Sequence, residues 1–329
     1  MAELESMRIA YGRALVQLGR ENRDVVVLSA DVANSDHSSM FADEFPDRFY
    51  NVGIAEQALV DVAAGLAYAG KIPFANTFAF LFATRALEMV RTHLCYGGAN
   101  VKLMGAYAGL SDSFDGPTHH SITDVAIMRS LPNLTVVIPS DPVCLSVLLP
   151  QVAASPGPVF FRLNRNEVPV LFKDKKYAPE IGKGVVLREG RDVALIGAGL
   201  MVSRCLQAAE ILQDQHGLNA TVAEFHTVKP LDEVLVLELA SQNGAIVTAE
   251  EHSVIGGLGG AVCEAVSARY PVPVERVGIA DCFAESGPYA ALLKAYRLEA
   301  EDIAEAALRA ICGRTRSRKT GTHQGSQTT

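Results

Sequence analysis

The sequence predicts an α/β protein made of two doubly wound domains. Short apolar, β-branched runs alternate with helical patterns along most of the 329 residues. These runs are hydrophobic almost throughout, as is typical of strands that are buried on both faces of a parallel sheet. A stretch at 164–183 that mixes proline, glycine and charged residues interrupts the alternation once. We therefore expect domains at 1–178 and 184–312, followed by a disordered polar tail at 313–329.

The first domain contains the clearest alternation of strand-like and helix-like segments. Its predicted strands are at 24–29, 100–107, 134–140 and 158–163, and its predicted helices are at 7–19, 55–68, 83–95 and 121–130. In the second domain, strands are predicted at 192–199, 219–227 and 244–251, with helices between them and two more helices after Pro288. Parallel strands need such crossover connections, so both domains are expected to be built around parallel sheets.

Composition and charge narrow the class of protein. With 49% hydrophobic and 20% charged residues, the chain can bury a core, and it has neither a membrane-spanning apolar run nor a secretory signal. A cytoplasmic protein without a membrane partner is therefore expected. The net charge of −8 disfavours nucleic acid as a partner. Six scattered cysteines without a CxxC motif predict neither a disulfide framework nor a metal site.

Glu56 is the first candidate functional residue. It follows a glycine turn in NVGIAEQALVDVAAGLAYAG (51–70) and opens a helix of small apolar residues. An acid at a helix start is stabilised by the helix dipole, which offers a purely structural interpretation. The apolar neighbours Ile54 and Leu59 favour a second interpretation, a buried carboxylate with a chemical role.

Two further segments contain candidate side chains. The stretch PFANTFAFLFATRALEMVR (73–91) has four phenylalanines before a helix, which suits either a core strand or aromatic contacts to a ligand. The loop DGPTHH places Asp115, His119 and His120 between a buried strand and a helix. Adjacent histidines in a loop seldom chelate one ion, so a surface loop or a polar substrate site is expected there rather than a metal site.

These segments together resemble the transketolases and the deoxyxylulose-phosphate synthases. The matching features are GIAEQ, the Thr-Phe pair of TFAFLF, the loop DGPTHH and the pattern DxAxMRxxPNxTVxxPxD that follows it. The resemblance covers nearly all of residues 6–312. It implies a pyrimidine-binding domain of the thiamine-diphosphate fold, followed by a transketolase C-terminal domain.

The resemblance also implies roles at a cofactor site. In this family the carboxyl at the position of Glu56 meets the aminopyrimidine ring of thiamine diphosphate and favours its imino tautomer. Leu81 stands where many relatives have a second aromatic residue, so Phe80 or Phe82 is expected to replace that contact. The residues implied to contact the cofactor are Glu56, Ile54, Phe78, Phe82 and Asp31.

A sugar substrate is implied on the other side of the same site. The residues that match the family's substrate contacts are Asp115, His119, Arg165, Arg8 and Ser35. The aspartate and the histidine are expected to face sugar hydroxyls, with His119 also catalytic in proton transfer. The two arginines are expected to bind phosphate, for which a planar guanidinium is suited, although a solvated surface position stays open for each. His120 stands where many relatives have glutamine, and His252 is expected to be structural.

The sequence contains no GDG segment, which marks the diphosphate-binding and metal-binding domain of the family. We therefore expect a partner subunit that carries this segment and holds Mg²⁺ (or Ca²⁺ or Mn²⁺), in a heterotetramer that also uses self-association of this chain. The predicted reaction transfers a two-carbon ketol unit from a ketose, in phosphorylated form, to an aldose. Three alternatives are an E1 β-like subunit of a 2-oxoacid dehydrogenase, a deoxyxylulose-phosphate-synthase-like enzyme and a non-catalytic assembly homologue.

Overall fold

The computed structural model describes residues 3–173 and 177–321 and contains α-helices packed against two larger sheets. The first elements are β1 (Leu4–Ser6), α1 (Met7–Glu21), β2 (Val25–Ser29), α2 (Ala33–Asp36), α3 (Ser39–Glu44), β3 (Phe49–Asn51), α4 (Glu56–Tyr68), β4 (Ile72–Phe78), α5 (Ala79–Ala83) and α6 (Leu87–Met89). A π-helix at Val90–Tyr96 follows. Then come β5 (Lys102–Ala106), α7 (Asp124–Ser130), β6 (Thr135–Val137), α8 (Pro142–Ala154), β7 (Val159–Arg162) and β8 (Glu167–Pro169).

The remainder of the chain forms most of the second domain. Its elements are β9 (Val185–Arg188), β10 (Val193–Gly197), α9 (Met201–His216), β11 (Ala220–Glu224), β12 (Thr227–Lys229), α10 (Glu233–Asn243), β13 (Ile246–Ser253), α11 (Leu258–Arg269), β14 (Val274–Ile279), α12 (Tyr289–Ala295) and α13 (Ala300–Gly321). No helix within the described ranges 3–173 and 177–321 combines the length and the hydropathy that a membrane span requires.

Both large sheets are mainly parallel, which confirms the predicted fold class. The first has the order β12-β6-β7-β5-β4-β2-β3, and only β12 runs antiparallel to its neighbour. The second has the order β14-β13-β10-β11-β9, with β9 antiparallel at one edge. A small antiparallel pair joins β1 to β8.

Successive side chains of one strand pack into two different hydrophobic cores, one on each face of the sheet. On β7, Phe160 packs with Leu59 and Phe82 on one face of the sheet, whereas Phe161 packs with Tyr11 and other residues on the opposite face. Because side chains alternate across a strand, a sheet covered on both faces needs apolar residues at every position. This explains why the strands read as continuous hydrophobic runs.

Three sequence predictions differ from the structure. The segment 219–227 divides into β11 and β12, and β12 leaves the second sheet to join the edge of the first. The single helix predicted at 83–95 is broken, because Thr84 ends α5 with φ −122° and ψ −72°, and helical structure resumes at α6. Phe80 and Phe82 lie on α5 rather than on a strand.

The segments after each predicted domain are also more ordered than expected. Part of 164–183 forms β8, and the Asp141 carboxylate accepts hydrogen bonds from the backbone amides of Leu171 (2.7 Å) and Phe172 (3.1 Å). Helix α13 continues to Gly321, so the start of the predicted disordered tail is helical. Arg314 stabilises this extension by donating to the carbonyl of Asn243 (2.7 Å). Residues 322–329 lie outside the described residues.

Candidate active site

Most of the predicted site residues follow the carboxyl ends of adjacent parallel strands. Asp31 follows β2, Glu56 follows β3, Phe78 ends β4, and the loop with Asp115 and His119 follows β5. In the sheet these strands lie in the order β5-β4-β2-β3. The chain runs from β2 to β3 on one side and then crosses to β4 on the other side, so the strand order reverses at β2. Open α/β sheets bind ligands outside this edge, at such a reversal. The topology therefore brings residues far apart in sequence to one edge.

Glu56 is a buried acid at the first residue of α4. Its side chain is 2% exposed, and Oε2 accepts a hydrogen bond from Nη1 of Arg85 at 2.9 Å. Arg85 is 53% exposed, so the guanidinium reaches the carboxylate from the solvent side. The helix start and the arginine thus both place positive electrostatic potential beside a carboxylate that water hardly reaches.

The turns that lead to Glu56 are held together by Asn51. Its side-chain oxygen accepts from the backbone amides of Asp31 (3.1 Å) and Gly53 (3.0 Å), and its amide nitrogen donates to the Asp31 carboxylate at 2.9 Å. Gly53 adopts φ +76°, a conformation that suits glycine. Ile54 then projects outward and is 76% exposed beside the buried acid. This branched apolar side chain is available for contact with a ligand or a partner.

The ring side chains of Phe78, Tyr107, Phe80 and His119 form a cluster at this edge of the sheet. The ring of Phe78 stacks on Tyr107 with centroids 4.6 Å apart and an interplanar angle of 14°. His119 meets the edges of Phe78 (6.1 Å) and Phe80 (5.5 Å). Phe78 and Phe80 are both only partly buried, so each keeps surface for a ligand.

Phe82 does not join this group. It is fully buried in the hydrophobic core beneath the site, and Leu81 is also buried. A cofactor contact at Phe82 would require that core to open, so we assign Phe82 to the core and correct the sequence-based expectation. Phe80 is the aromatic residue next to Leu81 that retains exposed surface.

The two predicted arginines both approach the ring of Tyr107. The guanidinium carbons of Arg165 and Arg8 lie 4.7 Å and 5.7 Å from the Tyr107 ring centre. Arg8 donates to the carbonyl of Arg165 at 2.7 Å and to the carbonyl of Ser35 at 2.6 Å. Arg165 forms an ion pair with Asp112 and lies 3.8 Å from Asp115. An anionic ligand would therefore share Arg165 with carboxylates already present.

The DGPTHH loop presents some of its polar residues and buries others. Asp115 is 55% exposed, and half-buried His119 is within hydrogen-bonding distance of Thr118 (Nδ1 to Oγ1, 3.0 Å). His120 is buried, and burial lowers its pKa, so it is a neutral packing residue. Asp112 is also buried, and its burial, reinforced by nearby Asp115, raises its pKa to about 6 although Arg165 opposes the shift.

Three residues at the site were missed by the sequence reasoning. Arg85 pairs with an acid 29 positions earlier, Tyr107 carries the stacked ring and both guanidiniums, and Asp112 is the buried partner of Arg165. Tyr107 lies in the predicted strand segment 100–107, where an aromatic residue looks like core. Arg85 lies within the phenylalanine-rich segment 73–91, and Asp112 lies three residues before Asp115, so both were close to segments with predicted site residues.

The residues of this edge fit one end of thiamine diphosphate. A buried acid, a partly exposed aromatic ring and an exposed isoleucine can hold a small nitrogen heterocycle through one polar contact and two apolar ones. Among the residues that the structure describes, no group of three or more histidine, cysteine, aspartate or glutamate side chains could hold a metal ion. The buried acid, the aromatic ring and the isoleucine thus suit the aminopyrimidine ring.

Comparison with known proteins identifies relatives along the whole two-domain region. Residues 5–170 match the family described as transketolase, pyrimidine binding domain, and residues 182–303 match transketolase, C-terminal domain. The chain is 40% identical to a putative transketolase C-terminal section of Methanocaldococcus jannaschii, over 92% of this chain and 95% of that protein. It is also 40% identical to the 6-deoxy-6-sulfo-D-fructose transketolase subunit of a Clostridium species, over 92% and 93%. A solved structure described as a split gene transketolase, inactive β4 tetramer, superposes with a TM-score of 0.88 at 46% identity and covers 94% of this chain and 99% of its own.

Proposed function

This chain belongs to the transketolase family, as a C-terminal subunit of the split type, and we propose that it transfers a two-carbon ketol unit from a ketose to an aldose. The observation that carries the proposal is Glu56, a buried carboxylate at a helix start and at the carboxyl edge of the sheet. Beside it are the exposed Ile54 and the half-buried ring of Phe78. The sequence resemblance to transketolases implies a cofactor contact at each of these three positions.

Thiamine diphosphate, when bound, supplies the electron sink that allows a carbon–carbon bond next to a carbonyl to break. In the proposed mechanism, Glu56 holds a proton at a ring nitrogen of the aminopyrimidine. Its burial excludes water from this contact, and Ile54 and Phe78 orient the ring. Before the ring arrives, Arg85 is the ion-pair partner of this carboxylate, with its guanidinium 2.9 Å away.

The sugar is proposed to bind on the side where Asp115 and His119 lie. Asp115 accepts hydrogen bonds from sugar hydroxyls, and the imidazole of His119 moves a proton at a hydroxyl oxygen. Arg8 and Arg165 bind the terminal anionic group of the sugar, with the backbone of Ser35 already holding Arg8 in place. Asp112 already neutralises part of the positive charge of Arg165. We therefore expect the site to accept a singly charged group as well as a phosphate. A relative named for a sulfo-sugar accords with that breadth.

A partner subunit is part of the proposal. The sequence contains no GDG segment, and the superposed split-gene structure is described as inactive in its β4 form. We therefore expect a subunit with the GDG segment to bring the diphosphate and Mg²⁺, and copies of this chain to associate with each other in a heterotetramer.

Reconstitution tests this function. The chain is mixed with a purified GDG-containing subunit, thiamine diphosphate and Mg²⁺, and ketol transfer is followed over a panel of phosphorylated and sulfonated ketoses. Glu56→Gln keeps the size of the side chain but removes its charge, so turnover should fall at least about 100-fold. Deuterium exchange at C2 of the bound cofactor should slow in parallel.

Glu88→Gln is the matched control, since Glu88 is exposed on α6, away from the buried carboxylate of Glu56. Its carboxylate accepts a hydrogen bond from the hydroxyl of Thr92. It should leave turnover unchanged. Ketol transfer by this chain alone would contradict the need for a partner, and turnover of Glu56→Gln near the wild-type rate would contradict the mechanism.

A further inference from the structure

Glu251 is a buried carboxylate that connects the second domain to the candidate active site. It lies on β13, and its side chain crosses to the first domain, where Oε1 accepts a hydrogen bond from the backbone amide of Leu110 at 2.7 Å. Leu110 is at the start of the loop that carries Asp115 and His119. A buried backbone amide that lost this partner would be left without a hydrogen bond, so the contact fixes the loop at this point.

The loop is shaped to fit this carboxylate. Gly109 adopts φ +62°, and a Cβ atom at this position would lie 2.4 Å from Oε1 of Glu251. Gly109 and Ser121 exchange backbone hydrogen bonds of 3.0 Å and 2.9 Å, which closes the neck of the loop between them. Any residue other than glycine would push the neck away from the carboxylate. The position of the neck therefore depends on Glu251 as well as on the two backbone hydrogen bonds between Gly109 and Ser121.

The second carboxylate oxygen holds the other side of the sugar-binding region. Oε2 accepts from the hydroxyl of Tyr289 at 2.8 Å and from the side-chain amide of Asn164 at 3.3 Å. The same Asn164 nitrogen donates to the Tyr289 hydroxyl at 2.8 Å. Asn164 directly precedes Arg165 in the chain. One carboxylate thus contacts both segments that supply the proposed substrate contacts.

We propose that Glu251 is a positioning residue, through which the second domain sets the distance between the DGPTHH loop and the Arg165 segment. This inference rests on the proposed function. In this role Glu251 acts through the bonds that it accepts from Leu110 and Asn164, and not by contact with the substrate or the cofactor ring. Burial raises the pKa of Glu251 to about 7, while Arg162 and the bonds it accepts oppose this shift.

Two substitutions at Glu251 separate its contacts. Glu251→Gln keeps one oxygen for the Leu110 amide, but its amino group then faces Asn164, which is itself a donor. Glu251→Ala removes both contacts. Glu250→Gln is the matched control, because the adjacent Glu250 is also buried but accepts from the amides of Leu258 (2.7 Å) and Gly259 (2.8 Å) at the start of α11.

The assembled complex is assayed for ketol transfer, and affinity for thiamine diphosphate is measured separately by titration. Misplacement of a substrate contact by about 1 Å can cost about 100-fold, so Glu251→Ala should raise the sugar KM about 10-fold to 100-fold without changing cofactor affinity. Glu251→Gln should lie between Glu251→Ala and wild type. Glu250→Gln should lower thermal stability and leave KM unchanged.

Hydrogen–deuterium exchange on the chain itself gives a readout that does not depend on activity. Exchange in 108–120 should accelerate in Glu251→Ala, whereas exchange in α4 should not. Equal changes in KM and in exchange for the Glu250 and Glu251 variants would overturn the proposal, and so would unchanged exchange in 108–120. If wild-type complex shows no ketol transfer, the proposed function fails, and accelerated exchange in 108–120 would still support the positioning role.

Discussion

Replacing Tyr107 by leucine should remove the support of both active-site arginines. The ring of Tyr107 stacks on Phe78 at 4.6 Å and lies below the guanidiniums of Arg165 and Arg8. Such stacking contributes about 1 kcal/mol, and each cation–π contact about 0.5–1 kcal/mol. The summed loss in free energy of unfolding for Tyr107→Leu is therefore about 2–3 kcal/mol.

Tyr107→Phe is the matched control. It keeps the ring and removes only the hydroxyl, whose hydrogen bond to the carbonyl of Ser35 is long, at 3.4 Å. A bond of this length contributes little, so the loss should stay below about 0.5 kcal/mol. Leucine and phenylalanine are both unbranched at Cβ, so the cost of the positive φ of 60° at this position is the same in both variants.

Equilibrium urea unfolding of the chain measures both values, and the sugar KM of the assembled complex reports on the arginines. Tyr107→Leu should raise KM, and Tyr107→Phe should not. A loss in Tyr107→Phe as large as in Tyr107→Leu would refute the reasoning, because the ring contacts would then be irrelevant. A loss below about 1 kcal/mol in Tyr107→Leu would do the same.

Two further predictions concern buried charges near the site. Arg162→Met should lower the free energy of unfolding by about 3–5 kcal/mol, since it leaves the buried Asp124 carboxylate without its partner at 2.8 Å, and urea unfolding checks this. The same change at Arg129, whose partner glutamate is mostly exposed, should cost less than about 1 kcal/mol, and similar costs at the two sites would contradict the assignment. Burial raises the pKa of Asp36 to about 7, although Ser38 and Arg8 oppose the shift. The folded chain then holds a proton that the unfolded chain releases near pH 4, so wild-type stability should fall as pH rises from about 4 to 7. Asp36→Asn lacks this loss, so the stability difference between variant and wild type should shift in favour of the variant by on the order of 4 kcal/mol between pH 4 and pH 8, and a difference that does not grow with pH would exclude the buried proton.

The sequence was sufficient to predict the fold class, two domains with mainly parallel sheets. Buried parallel strands require apolar residues on both faces, and the runs ending at Ser29 and Ala106 show that composition directly. Glu56 could be placed at a helix start for a similar local reason, because a glycine turn precedes small apolar residues. Features of this kind depend on neighbours in the chain, which is why pattern reasoning finds them.

Contacts between distant segments were not predictable in this way. Arg85 donates a hydrogen bond to Glu56, which is 29 residues earlier in the chain. The sequence around either residue gives no sign that the two side chains pair. Phe82 could not be distinguished from Phe80 by spacing alone. The change from strand to helix between β4 and α5 turns Phe82 into the core and leaves Phe80 partly exposed. Glu251 lies in a strand that resembles scaffold, and its role emerges only where Gly109 approaches it.

Strand β12 makes the two domains inseparable in a practical sense. It comes from the sequence of the second domain, yet it forms the outer strand of the first domain's sheet beside β6. A chain cut within 170–183 would leave the edge of β6 with unpaired backbone groups, which invite pairing with other chains. A version of the first domain intended to fold alone should therefore include a segment that supplies this strand.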